Sequence, residues 1–156
     1  MGQLKDLKWL NRFLSETPGD KEVGGRSRQV PNACWSRVSP TPSPNPKLCL
    51  WSDDVANDLG LERGEGDVLG GGKPVEGMDT YAQRYGGHQF GNWAGQLGDG
   101  RAITLGEVET KDGVLELQLK GSGETPYSRH SDGKACLLYT SPSPRDRTRS
   151  RMPSSA

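Results

Sequence analysis

Residues 81–135 read YAQRYGGHQFGNWAGQLGDGRAITLGEVETKDGVLELQLKGSGETPYSRHSDGKA, and the order of patterns in this stretch decides the fold. Glycines come first, at Gly86, Gly87, Gly91, Gly95, Gly98 and Gly100. Residues 101–108 follow, with Ala102, Ile103, Leu105 and Val108 as their apolar members. Lys111-Asp112-Gly113 is a turn signal, because glycine accepts the positive φ that a tight hairpin needs. In residues 114–120, Leu115, Leu117 and Leu119 alternate with Glu116, Gln118 and Lys120. A strand of period two puts the leucines on one face and Lys120 on the other. The stretch therefore predicts a glycine-rich loop, a strand, a tight turn, and a second strand paired antiparallel and ending on a lysine.

That order has a chemical use. Glycines let backbone N–H groups approach phosphate oxygens closely, and a lysine on a neighbouring strand adds a point charge. Protein kinases combine a glycine-rich loop and a strand lysine in this way. Here, however, residues 95–100 run G-x-x-G-x-G, the reverse of the kinase spacing. The plainer alternative is a glycine-rich surface loop beside an ordinary hairpin, with Lys120 a solvated strand end. Tyr81, Tyr85, Phe90 and Trp93 also have two readings: stacking on adenine, or, as favoured here, packing an irregular loop into the core. His88, a loop histidine among glycines, is not nominated as a base.

Outward from this stretch, composition sets bounds. The chain has 156 residues, enough for one ordinary domain. With 31% hydrophobic residues, 22 glycines and 11 prolines, it can build only a small core. Its formal net charge is zero, which gives no global signal for nucleic acid or an anionic membrane. No apolar run approaches the roughly 18–20 residues of a membrane span. Cys34, Cys49 and Cys136 are scattered without C-x-x-C spacing, which suits free thiols in a reducing compartment better than a disulfide scaffold. His88 is remote in sequence from them and His130 is near Cys136 alone, so a zinc site has little support.

In residues 1–14, Leu7, Leu10 and Leu14 fit one stripe of a short helix docked on the domain. Acidic Asp6 and Glu16, and the lack of an apolar secretory core, argue against a targeting peptide. Residues 16–28 read as a polar linker. Pro40, Pro42, Pro44 and Pro46 make residues 31–46 an extended strap, without the P-x-x-P spacing of an SH3-type ligand. Residues 47–51 read as a short strand. Ser52-Asp53-Asp54 caps a helix running to Leu61, with Gly60 at its end. Residues 62–79 read as an acidic, glycine-rich surface loop.

The strings GGHQFGNWAGQLGDGRAITLGE, LQLKGSGETPYSR and SDGKA, together with residues 30–61, closely resemble the selenoprotein O family, also called SelO or YdiU. The resemblance covers roughly residues 28–135. It implies an α+β fold that is part of a protein-kinase-like fold, with N-lobe-like antiparallel strands and a glycine-rich loop. It also implies a protein adenylyltransferase that binds ATP in a flipped orientation, uses Mg2+, and transfers AMP to hydroxyl groups of protein substrates. The positions matching the family's nucleotide contacts are Gly98, Gly100, Arg101, Lys120, Asp132 and Gly133, all present as the family has them. Each has a plainer role: Arg101 and Asp132 could pair with each other, and the glycines could serve only their turns. The family's metal ligands, helix glutamate and candidate base lie downstream, so no catalytic or metal-binding residue is assigned within this chain. By the same resemblance the compartment is mitochondrial or cytoplasmic, and the partners are proteins, with neither nucleic acid nor membrane. A nucleotide-binding module or pseudoenzyme without chemistry stays open as an alternative. A protein kinase is disfavoured by the reversed glycine order.

Three regions are thus expected: residues 1–27, a short helix and linker; residues 28–135, the family-like region; and residues 136–156, a non-native tail. The tail is rich in Ser, Pro and Arg, with Arg145, Arg147, Arg149 and Arg151 alternating. It carries +3 and the remaining 135 residues −3. A basic arm for nucleic acid and an Arg/Ser regulatory tail are possible functions for it. The favoured reading is foreign or out-of-frame sequence joined to a truncated coding sequence, without packed structure. Deleting residues beyond 140 should accordingly leave the thermal midpoint nearly unchanged in a melting experiment; a fall of several degrees would show that the tail belongs to the fold.

Overall fold

The computed structural model describes residues 2–64 and 66–135, so the expectations placed on residues 136–156 lie outside the described residues. The strands, in chain order, are β1 (Trp35–Arg37), β2 (Tyr81–Tyr85), β3 (His88–Gln89), β4 (Asn92–Trp93), β5 (Leu97–Gly98), β6 (Ala102–Thr110) and β7 (Gly113–Lys120). The helices are a 3-10 turn (Leu4–Asp6), α1 (Arg12–Glu16), α2 (Asp53–Leu59) and α3 (Gly66–Leu69). The fold is α+β, built on an antiparallel sheet in the order β1-β2-β6-β7, with β5 attached to β2 and β3 paired with β4 separately.

The hairpin forms where alternation placed it. β6 and β7 pair antiparallel, with Ala102 opposite Lys120, Ile103 opposite Leu119 and Val108 opposite Leu115. The apolar pattern of β6 changes parity midway, at Ile103, Leu105 and then Val108. A β-bulge absorbs the change: the register steps from Thr104 to Gly106, and Gly106 takes φ +145°. Lys120 shares a face with Glu116 and Gln118, away from Leu119. The leucine face is buried at the lysine end, where Leu119 lies, and opens towards the turn, where Leu115 is 42% exposed.

The N-terminal stripe does not form one helix. β2 meets β6 only at Tyr81 and Thr104, leaving the far half of β6 with an open edge. Residues 8–10 cover it: the Leu10 amide donates to Glu107 O at 2.8 Å and the Glu109 amide to Lys8 O at 3.0 Å. Capping an unpaired strand edge outweighs the helical preference of these residues. α1 then carries Phe13 to stack on Tyr81, with centroids 5.6 Å apart.

The extended strap contains a strand that its prolines disguised. β1 pairs with β2, with Trp35 opposite Gln83. Residues 47–51 form no strand, in contrast to the expectation. α2 is capped as expected: Ser52 Oγ accepts from the Val55 amide at 3.4 Å, and Gly60 ends the helix at φ +71°. The loop after it is not wholly irregular, because α3 buries Val68. Val30, Ala33, Val38, Ala82, Ile103 and Tyr127 form one core cluster. Leu4, Ala56, Leu61 and Val68 form a second, with Trp51 and Leu117 packed against it. Among the described residues no helix is long and apolar enough to cross a membrane.

The polar stretch around residues 16–28 is fixed to the sheet. The Asp20 amide donates to Trp35 O at 2.8 Å. The Asp20 carboxylate accepts from Arg28 Nη2 at 2.5 Å and from Ser36 Oγ at 2.9 Å, and Ser36 Oγ also hydrogen bonds Tyr127 Oη at 3.0 Å. Burial works against ionisation of Asp20, but hydrogen bonds from Arg28, the Glu22 amide and Ser36, with the Arg28 charge, hold its carboxyl below the ordinary value of 3.8. A depressed folded value means that the stabilisation is fully present above the unfolded value and is lost as pH falls through the folded one. Asp20→Asn should therefore destabilise the protein clearly at pH 7 and much less at pH 3 in urea unfolding. An equal loss at both pH values would contradict this role.

Candidate functional site

Gly98 and Gly100 owe their identity first to packing. A Cβ on Gly98 would lie 2.4 Å from Tyr127 Cγ and 2.6 Å from Gln83 O; on Gly100 it would lie 2.8 Å from Tyr127 O. Without side chains at these two positions, the turn of residues 125–128 settles directly on the loop. Hydroxyls close that turn: the Thr125 amide donates to Ser128 Oγ at 2.8 Å, and the Ser128 amide to Thr125 O at 3.0 Å. The same hydroxyls reach the loop, with Thr125 Oγ1 donating to Asp99 O at 2.6 Å and Ser128 Oγ to Gly100 O at 2.5 Å.

Asp99 fastens the loop from the other side. Its Oδ2 accepts from the Gln83 amide at 3.1 Å and from Gln118 Nε2 at 3.2 Å. Beside it, Glu116 accepts from Tyr81 Oη, Gln83 Nε2 and Thr104 Oγ1. Burial, reinforced by the Glu116 charge, raises the Asp99 carboxyl above its ordinary value despite the Gln83 hydrogen bond. Burial, followed by the Glu116 charge, also pushes the Tyr81 hydroxyl well up, so it stays a donor. Gln118 thus ties the glycine loop to the strand that ends in Lys120.

Gly98, Gly100 and Arg101 line one open cavity of about 560 Å³, shared with Arg129 and His130. Lys120 is next to Arg101 at the open end of the hairpin: Ala102 pairs with Lys120, and the Gly121 amide donates to Arg101 O at 2.6 Å. Asp132 lines a different cavity of about 580 Å³, with Arg26, Thr41 and Lys134, and its Oδ1 accepts from the Lys134 amide at 2.9 Å. Gly133, at φ +67°, crosses the Gly123 backbone so closely that a Cβ would sit 1.9 Å from Gly123 O. Four of the six sequence-nominated residues, Gly98, Gly100, Arg101 and Lys120, therefore gather at one end of the hairpin. Asp132 and Gly133 lie across the 121–135 loop, with Asp132 lining the second cavity and Gly133 packed on the backbone of Gly123.

The aromatic residues divide. Tyr81 is core, whereas Tyr85 is 47% exposed and, on the β3–β4 hairpin, Phe90 is 96% and Trp93 64% exposed, so core packing is wrong for these three. His88 packs edge-on against Trp93, with centroids 5.2 Å apart. Sequence reasoning missed Asp99 and the anchoring hydroxyls of Thr125 and Ser128. Thr125-Pro126-Tyr127-Ser128 carried the signal, since proline inside a turn flanked by hydroxyl residues suits a self-closing turn. Among the described residues no group of three or more His, Cys, Asp or Glu is placed to hold a metal ion.

Known proteins match this sequence. The family model described as protein adenylyltransferase SelO matches residues 21–140, which include all six nominated positions. A protein nucleotidyltransferase YdiU of Nitrosospira multiformis is 52% identical over 141 residues, covering 86% of this chain and 25% of that protein. The YdiU of Azoarcus sp. strain BH72 is 52% identical over 141 residues, covering 86% of this chain and 27% of that protein. The YdiU of Methylobacillus flagellatus is 54% identical over 138 residues, covering 84% and 27%. These relatives are named as nucleotidyltransferases. The chain belongs to the SelO family, and it spans about a quarter of the length of the curated relatives it matches.

The packing role of Gly98 makes a direct prediction. Gly98→Ala should cost about 1–3 kcal/mol, the usual range for overpacking, whereas Gly64→Ala, with nothing within 4 Å, should be near neutral. Equal effects in denaturant unfolding would show that Tyr127 does not rest on Gly98.

Proposed function

We propose that this chain is the nucleotide-binding part of a protein adenylyltransferase with a protein-kinase-like fold, which transfers AMP from ATP to Ser, Thr or Tyr hydroxyls of other proteins. The observation that carries the reading is the meeting of Gly98, Gly100 and Arg101 in one cavity beside the Lys120 end of the hairpin. Arginine supplies a planar fork for phosphate oxygens and lysine a compact charge. The glycine loop between β2 and β6, with a lysine ending the next strand, supports the likeness to a kinase N-lobe. The residues present fit a nucleotide's phosphates. Among the described residues no group of three or more His, Cys, Asp or Glu is placed to hold the Mg2+ that the family resemblance implies, and no step is routed through a metal.

In the reaction proposed, the protein hydroxyl oxygen bonds to the α-phosphorus and its proton passes to a base not assigned in this chain. The bond between α-phosphorus and bridging oxygen breaks, and pyrophosphate leaves. Positive charge from Lys120 and Arg101 stabilises the charge growing on that leaving group. A second reading, a nucleotide-binding module without chemistry, rests on the same cavity lined by Gly98, Gly100 and Arg101.

The test joins residues 21–140 of this chain to the remainder of the Nitrosospira multiformis relative and supplies magnesium and ATP. Label from the α-phosphate should appear on protein and label from the γ-phosphate should not. Lys120→Ala should lower transfer by about 10²-fold or more, the scale of losing one electrostatic stabiliser. The present chain alone should transfer neither label. Transfer of γ-label only would make the protein a kinase and overturn the reading.

A further inference from the structure

We propose that Arg129 is a second phosphate-binding arginine of the Arg101 cavity, held ready by Gln89 of the β3–β4 hairpin. The proposal rests on the nucleotide-binding reading above and adds a residue to it. Arg129 lines the same cavity as Gly98, Gly100 and Arg101. Its Nη2 donates to Gln89 Oε1 at 2.8 Å, so its partner is a neutral amide. Among the described residues no carboxylate is within ion-pair distance of it, as is also the case for Arg101. A guanidinium without a counter-ion, in a cavity that already holds another arginine, suits an anion with several oxygens.

The backbone supports the assignment. Arg129 has φ +59°, a left-handed conformation that a long side chain enters at a cost and glycine enters freely. Ser27 Oγ pins the Arg129 carbonyl at 2.8 Å, and the hydroxyl-closed turn of residues 125–128 precedes it directly. An arginine in a strained position that glycine would fill more easily points to a use for its side chain. Gln89 is the natural element to yield: its amide holds the guanidinium at the cavity wall, and a phosphate oxygen accepts the same N–H more strongly because it is charged.

Calorimetric titration of this chain with ATP and with adenosine tests the proposal. Arg129→Gln and Arg129→Gly should each weaken ATP binding by about tenfold or more, the scale of one hydrogen bond to a charged group, and leave adenosine binding unchanged. Arg129→Gly should not lower the thermal midpoint, because it relieves the positive φ. Arg101→Gln and Lys120→Ala serve as references. If these weaken ATP binding while both Arg129 variants bind like the parent chain, the proposal fails and the nucleotide-binding reading stands. Equal loss of adenosine and ATP binding would mean that Arg129 only shapes the turn, which also overturns the proposal. If the parent chain binds no ATP, both the reading and the proposal fail.

Discussion

The structure depends on the contact between the Tyr127 ring and the bare backbone at Gly98. Tyr127 is a core residue, packed with Val30, Ala33, Val38, Ala82 and Ile103, and its hydroxyl meets Ser36. Because Gly98 has no side chain, the ring lies flush on the loop, and residues 125–128 follow it down. Every other feature of the site inherits this placement. Thr125 and Ser128 reach the carbonyls of Asp99 and Gly100, Arg101 is delivered to the hairpin's open end, and Arg129 emerges just beyond the turn. A site built this way is coupled to the core: whatever loosens Tyr127 also loosens the cavity.

A second set of polar contacts joins the loop to the lysine strand. Asp99 and Glu116, on the polar side of the sheet, are satisfied by Gln83, Gln118, Tyr81 and Thr104. Buried polar networks rigidify when every member is paired and cost stability when one is not. Here the network sets the distance between the glycine loop and β7. The charges left to face the cavity are cationic, which is the electrostatic arrangement that phosphate recognition needs.

Much of this was legible in the sequence. Alternation in residues 114–120 and the Asp112-Gly113 turn fixed the hairpin, because period-two patterns and positive-φ glycines are local properties. The helix beginning at Asp53 was legible for the same reason, through Ser52 and Gly60. The N-terminal stripe misled, because the open edge of β6 is visible only once β2 has diverged from it. β1 was hidden among prolines, and its partner lies over forty residues away in sequence. Four of the six candidate residues meet at one end of the hairpin, because the glycine loop runs directly into β6 and Ala102 pairs with Lys120. The part played by Tyr127 was not legible, since nothing local indicates that an aromatic thirty residues downstream rests on a glycine. Phe90 and Trp93 had a composition that suggested core, but their short hairpin carries them outward.

Backbone hydrogen exchange of this chain with and without ATP tests most directly whether the glycine loop and the turn beyond β7 form one nucleotide site. The account predicts slower exchange on adding ATP in residues 97–101 and 127–133, with no change in α2. Protection confined to α2 and its neighbours, or none at saturating ATP, would contradict it.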